Sequence, residues 1–172
     1  MVLDLDTMSV NSKPGSHIQI TYQENDYWVK ELTLYKNTVS DYGFDSDNFS
    51  FDENEYRNLY KQVSWLPELY EYKIDGLKRI WKYATVKNII NRKKLTYDDN
   101  IKYFGKYFLG EVVPFMFNYK RQMNKIFFHS DPSMNFVLTK DGFCLLEPND
   151  WQWVEEDKVN KIMRYAFHKL MK

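Results

Sequence analysis

The chain has 172 residues, of which 44% are hydrophobic and 18% aromatic, and its 24 basic side chains balance 24 acidic ones. That composition argues against disorder, because it supplies enough apolar surface for a real core. Zero net charge argues against a protein built mainly to hold nucleic acid through a basic field, and the single cysteine rules out an intrachain disulfide framework and fits a reducing compartment.

The first segment, MVLDLDTM, carries acids where a signal peptide would carry Lys or Arg, and no apolar run approaches the length of a membrane span. A soluble, cytoplasmic protein is expected. MVLDLD is itself a candidate strand, and NSKPGS at 11–16 is rich in turn residues and is read as a connection. HIQITYQ alternates Ile18, Ile20 and Tyr22 with polar neighbours, which predicts a half-buried strand. END then makes a turn. YWVKELTLY is a second alternating strand, with Trp28, Lys30 and Leu32 on one face and Val29 and Glu31 on the other, so that the two form a hairpin.

Residues 37–49 are polar and predict a loop. SFDENEYRNLYKQV predicts a helix: Ser50 and Glu53 have the spacing of a capping box, and Tyr56, Leu59, Tyr60 and Val63 form an apolar stripe. Pro67 ends that region. ELYEYKIDGLKRIWKYATV predicts two short strands around Asp75-Gly76. NRKKLTYDDN is polar, a loop or a helix start. From Asn100 to Met123 the apolar residues Tyr103, Phe104, Tyr107, Phe108, Val112, Phe115 and Met116 predict one deeply packed helix, kinked at Pro114.

FFHSDPSMN predicts a loop, and FVLTKDGFCLLE a tight hairpin turning at Lys140-Asp141-Gly142. Residues 155–171 predict a closing amphipathic helix through Val159, Ile162, Met163, Ala166 and Leu170. Trp151 and Trp153 are expected to pack that helix. Cys144, inside an apolar run, is expected to be a buried, inert thiol. The basic stretches NRKKL and NYKRQ are expected to be solvated faces, with no strong nucleic-acid signal. Strands precede helices in this order, which gives an α+β class with a β-rich first part and a helical second part.

Taken singly, the polar residues have ordinary explanations. Lys30 reads as a surface strand lysine, Glu55 as an acid in the first turn of a helix, His129 as a core histidine and Asp131-Pro132 as a turn pair. Their succession says more. YWVKEL, FDENEYRNLYKQVSWLPELYEY, WKYATVKN and FFHSDPSMNFVLTKDGFCLLE follow one another in an order that resembles the protein-kinase-like superfamily over residues 17–155, most strongly from Phe127 to Glu147.

The resemblance implies a small kinase-like fold occupying 1–172 as one unit, with a β-rich N-terminal lobe over about 1–83 and a short, mainly helical C-terminal lobe over about 84–172. It implies ATP and Mg²⁺ as cofactors. Lys30 would grip phosphates and Glu55 would hold Lys30. Tyr83 and Thr85, in the hinge segment, would bind the nucleotide. Asp131 would accept or orient the acceptor hydroxyl, and His129 would brace the loop. Asn135 and Glu147 would hold the metal, with Asp150 as a second carboxylate nearby.

The pattern also departs from the family. Asp131 and Asn135 stand one residue closer than usual, Glu147 replaces an aspartate, Gly15 is the lone glycine of NSKPGSH, and little chain follows Trp153. The first expectation is a minimal phosphotransferase acting on a hydroxyl acceptor other than a typical peptide, with a nucleotide and a small-molecule or protein partner. The alternatives are a catalytically weak or inactive pseudokinase serving as a binding or inhibitory module, and an unrelated α+β interaction domain.

Overall fold

A computed structural model describes residues 9–13, 17–34, 51–91 and 94–170. The expected strand in MVLDLD, the loop at 37–49 and Gly15 lie outside the described residues. The chain divides into two compact units, the first comprising 1–63 and 67–86 and the second 64–66 and 87–172. Both contain strands and helices, so the fold is mixed α+β, with its largest sheet in the first unit.

In the first unit, β2 (His17–Glu24) and β3 (Tyr27–Leu34) form the expected hairpin, with Glu24 opposite Tyr27. The turn between them places Asn25 at φ 54, a left-handed conformation that asparagine tolerates. β1 (Ser9–Lys13) pairs antiparallel with β2, Asn11 lying opposite Gln19. This corrects the reading of residues 11–13 as part of a connection; 14–16 lie outside the described residues. Ladder bonds come from the backbone, so polar Asn11, Ser12 and Lys13 serve well at a sheet edge.

After α1 (Glu53–Tyr60), β4 (Leu69–Asp75) and β5 (Lys78–Ala84) form the second expected hairpin, which completes a sheet ordered β1-β2-β3-β5-β4. Gly76 takes φ 56 in its turn. The helix begins later than Ser50 implies. Asp52 is the cap, its carboxylate accepting the Glu55 N–H at 3.0 Å. Asp52 and Glu55 have the same three-residue spacing as Ser50 and Glu53, and shifting the cap by two residues lets Glu55, Tyr56 and Leu59 share the buried face.

In the second unit, the expected long helix is three consecutive segments: α2 (Tyr97–Phe104), a π-helical stretch (Gly105–Val112) and α3 (Val113–Tyr119). Thr96 caps the start. Phe104, Phe108, Val112 and Met116 are all buried and recur every four residues. On an ordinary helix of 3.6 residues per turn such a row drifts around the axis. The wider winding of a π segment keeps it nearer one line. Pro114 falls in the first turn of α3, where a missing N–H costs least. The helix does not reach Met123, because Lys120 turns extended and Arg121–Gln122 forms β6.

β7 (Lys125–His129) lies between β6 and β10 (Trp151–Glu155) in an antiparallel sheet. One reading is corrected here: Phe127, Phe128 and His129 belong to a central strand rather than a loop. Trp151 and Trp153 stand on β10, opposite His129 and Phe127. A strand buried on both faces shows an unbroken apolar run rather than alternation, and Ile126, Phe127, Phe128 and His129 are all fully buried.

α4 (Pro132–Asn135) follows, then the expected hairpin of β8 (Phe136–Thr139) and β9 (Gly142–Leu145). α5 (Glu156–Leu170) closes the described chain, burying Val159, Ile162 and Ala166. Among the described residues, no helix is long and apolar enough to cross a membrane.

Candidate functional site

The candidate residues fall into two groups, one in each unit. In the first unit, alternation along β3 sends Lys30 and Leu32 to one face of the sheet. Lys30 stands directly opposite Trp81 of β5, which in turn stands opposite Tyr72 of β4. Phe51, just before α1, packs on both rings, with centroids 4.8 Å from Tyr72 and 5.8 Å from Trp81. The start of α1 therefore lies over the face that carries Lys30.

Glu55 is on the buried side of that helix. Among the described residues, Lys30 (3% exposed) and Glu55 (6%) are the only Lys, Arg, Asp or Glu side chains that are buried. Charges are seldom withdrawn from water unless opposite charges compensate them. The surface-lysine reading of Lys30 does not survive this burial, nor does the exposed-acid reading of Glu55.

Tyr83 is buried on β5, opposite Trp28 and Leu69. Thr85 follows the strand. Its hydroxyl donates to the Asp26 carbonyl at 2.9 Å and its N–H donates to the same oxygen at 3.3 Å. Both donors of Thr85 thus tie the end of β5 to the β2–β3 turn.

In the second unit, the group is organised by His129 at the end of β7. The Asp131 N–H donates to Nδ1 at 3.1 Å, and Nε2 lies 2.8 Å from the Leu146 carbonyl. An Nδ1 that accepts leaves Nε2 as the protonated nitrogen, so the ring is neutral and bridges two backbones. The edge of the ring packs on Trp151. His129 is a brace and is sealed from solvent.

Asp131 precedes α4, and Pro132 starts that helix without needing an N–H partner. One turn later, Asn135 donates from Nδ2 to the Asp131 carbonyl at 3.0 Å and to Asp150 Oδ2 at 3.3 Å. Both hydrogens of its amide are then used, which orients Oδ1 as a remaining acceptor. Asp150 is fixed from behind: its carbonyl accepts the Ser130 N–H at 2.9 Å, and its Oδ1 accepts from Asn149 at 3.0 Å.

Glu147 sits at φ 64 and ψ 75, a left-handed conformation that is uncommon away from glycine and asparagine. Its carbonyl accepts the Asp150 N–H at 3.0 Å, so this turn delivers Asp150 toward Asn135. No protein-family model and no curated protein matches this chain. What the site can do rests on its geometry.

Among the described residues, no three His, Cys, Asp or Glu side chains converge as a metal cluster. The Asn135 amide meets the Asp150 carboxylate through Nδ2; an amide oxygen and a carboxylate are the kinds of hard donor that Mg²⁺ takes.

One contact was not foreseen from the sequence. Lys169, in the last turn of α5, places Nζ 3.7 Å from Asp131 Oδ2. Nothing in the HSDPSMN segment signals a partner so distant in the chain. Cys144 is buried as expected, and burial pushes its thiol up to about 12, which makes it a poor nucleophile.

Proposed function

We propose that this chain is a minimal kinase-like phosphotransferase that moves the γ-phosphoryl group of ATP to a hydroxyl acceptor. The observation that carries this reading is the position of Asn135, whose amide bonds both the Asp131 carbonyl and the Asp150 carboxylate. Phosphoryl transfer needs an acceptor-side carboxylate and a metal site set by an amide and a second carboxylate. Those three groups are held together here by side-chain and backbone bonds. The buried Lys30 and Glu55 of the first unit support the same reading.

In this reading Asp131 takes the proton of the acceptor hydroxyl as its oxygen bonds to the γ-phosphorus, and the bond to the β-phosphate oxygen breaks to release ADP. Lys30 holds the α- and β-phosphates, and Glu55 directs the lysine. Asn135 and Asp150 are the ligands for Mg²⁺, which would neutralise charge on the phosphate oxygens. Of the carboxylates considered for the metal, Asp150 is supported by its contact with Asn135.

A melting-temperature titration with ATP, with and without Mg²⁺, tests the reading. A metal-dependent rise is expected, since a ligand that binds only the folded state stabilises it. Asp131→Ala should abolish transfer and leave the nucleotide-induced rise. No rise with any combination of nucleotide and metal would end the proposal. The second reading, a pseudokinase, is favoured by the shortened Asp131–Asn135 spacing and by Glu147 in place of an aspartate. It predicts the same rise with no turnover.

A further inference from the structure

The carboxylate of Asp131 meets a cation that its own loop does not supply. From Ile126 to Thr139 the sequence contains no Lys or Arg. The ammonium 3.7 Å from Asp131 Oδ2 belongs to Lys169, on a helix far along the chain. We propose that Lys169 is a positioning residue for Asp131, holding its carboxylate oriented for the acceptor hydroxyl. This rests on the phosphotransferase reading above.

Three observations support it. First, every polar part of Asp131 is already held from a different direction: its N–H by His129, its carbonyl by Asn135, its Oδ1 by Ser133. Oδ2 is the remaining atom, and Lys169 is what faces it. A carboxylate fixed at one oxygen only can still rotate about its last bond, and the second contact stops that rotation.

Second, the ammonium is itself constrained. It lies over the Tyr165 ring, 4.7 Å from the centroid, and Tyr165 is one helical turn earlier on α5. The helix is anchored at Val159, Ile162 and Ala166, and Phe167 meets Phe104 edge to face at 5.9 Å. The position of Lys169 is thus set by the core of the second unit.

Third, an isolated ion pair with both partners about 30% exposed contributes little to stability. An arrangement this constrained at the acceptor-side carboxylate is better explained by geometry than by folding energy. Burial alone would lower the proton affinity of Lys169. The hydrogen bonds to Tyr165 and Asp131 and the charge of Asp131 raise it on balance, so the cation persists across the neutral range.

The test compares wild type, Lys169→Met and Lys169→Arg in Mg²⁺-dependent ATP turnover, with water as the acceptor, alongside melting temperature. The expected result for Lys169→Met is a fall in kcat of roughly 10- to 100-fold, the scale of a misoriented catalytic group. KM for ATP and the melting temperature should be nearly unchanged, and Lys169→Arg should recover most of the rate. An active wild type whose rate is indifferent to Lys169→Met overturns the inference while leaving the phosphotransferase reading intact. So does a loss that tracks a fall in melting temperature and is not rescued by Arg, which marks a merely structural contact. A wild type that neither binds nor turns over Mg²⁺ and ATP overturns the phosphotransferase reading and this inference together.

Discussion

A lysine and a glutamate withdrawn from water are costly residues to keep, and they set the first prediction at the residue scale. In the proposed pairing of Lys30 with Glu55, removing one charge leaves the other buried and uncompensated, so Lys30→Met or Glu55→Gln should each destabilise the protein by about 3 kcal/mol. The double variant Lys30→Met, Glu55→Leu should recover most of that loss, because apolar groups of similar size pay no desolvation. Urea unfolding of the three variants checks this, and a single variant as stable as wild type would count against it.

The second prediction concerns alkaline pH. Burial raises the Cys144 thiol from 9.0 to about 12. Tyr22 rises from 10.0 to about 12, first through burial and then through the charge and hydrogen bond of Glu31. In both cases the folded state holds a proton that the unfolded chain releases earlier. Their contribution is fully present below the unfolded values and is lost as pH climbs toward 12. Unfolding midpoints measured from pH 8 to 11 should therefore fall. Native Cys144 should resist thiol reagents at neutral pH and react freely in denaturant.

At the scale of elements, caps and turns carry energies that the sequence nearly reveals. Asp52 satisfies an orphan N–H of α1, and Asp52→Ala should cost about 1 kcal/mol. The β6–β7 turn holds Met123 at φ 55 with its side chain 91% exposed. Nothing is gained there from burial, and a left-handed residue with a Cβ is strained by about 1 kcal/mol. Met123→Gly should raise the melting temperature, and a fall would mean that the added chain entropy outweighs the relieved strain. Glu147 has a similar conformation, but its turn sets the position of Asp150, so stability and function need not move together there.

Hairpins were legible because their signals are local: alternation and Asp75-Gly76. β7 was not. Its burial depends on elements distant in the chain, with α3 and α5 packing against it and β6 and β10 at its edges, and an apolar run next to His129 and Asp131 reads as easily as a loop. The π-helical stretch was equally hidden. The four-residue recurrence from Phe104 to Met116 is visible in the sequence, yet only packing decides whether the backbone widens to follow it.

For the molecule as a whole, equal numbers of acids and bases and a pI near 6.8 leave no net repulsion between copies near neutral pH. Solubility should pass through a minimum close to pH 6.8, measurable by polyethylene glycol precipitation across pH 5–9, whereas a monotonic curve would point to charges masked on folding.

By itself the sequence determined the α+β class, both hairpins of the first sheet, and Lys30, Glu55, Asp131 and Asn135 as residues worth following. These depend on local periodicity and on motif order. Only the tertiary structure decided that Lys30 and Glu55 are buried, that Asp150 meets Asn135, and that Lys169 faces Asp131. Each of these is a contact between residues distant along the chain or a burial imposed by several elements at once, and side-chain chemistry alone does not encode which partners the fold brings within reach.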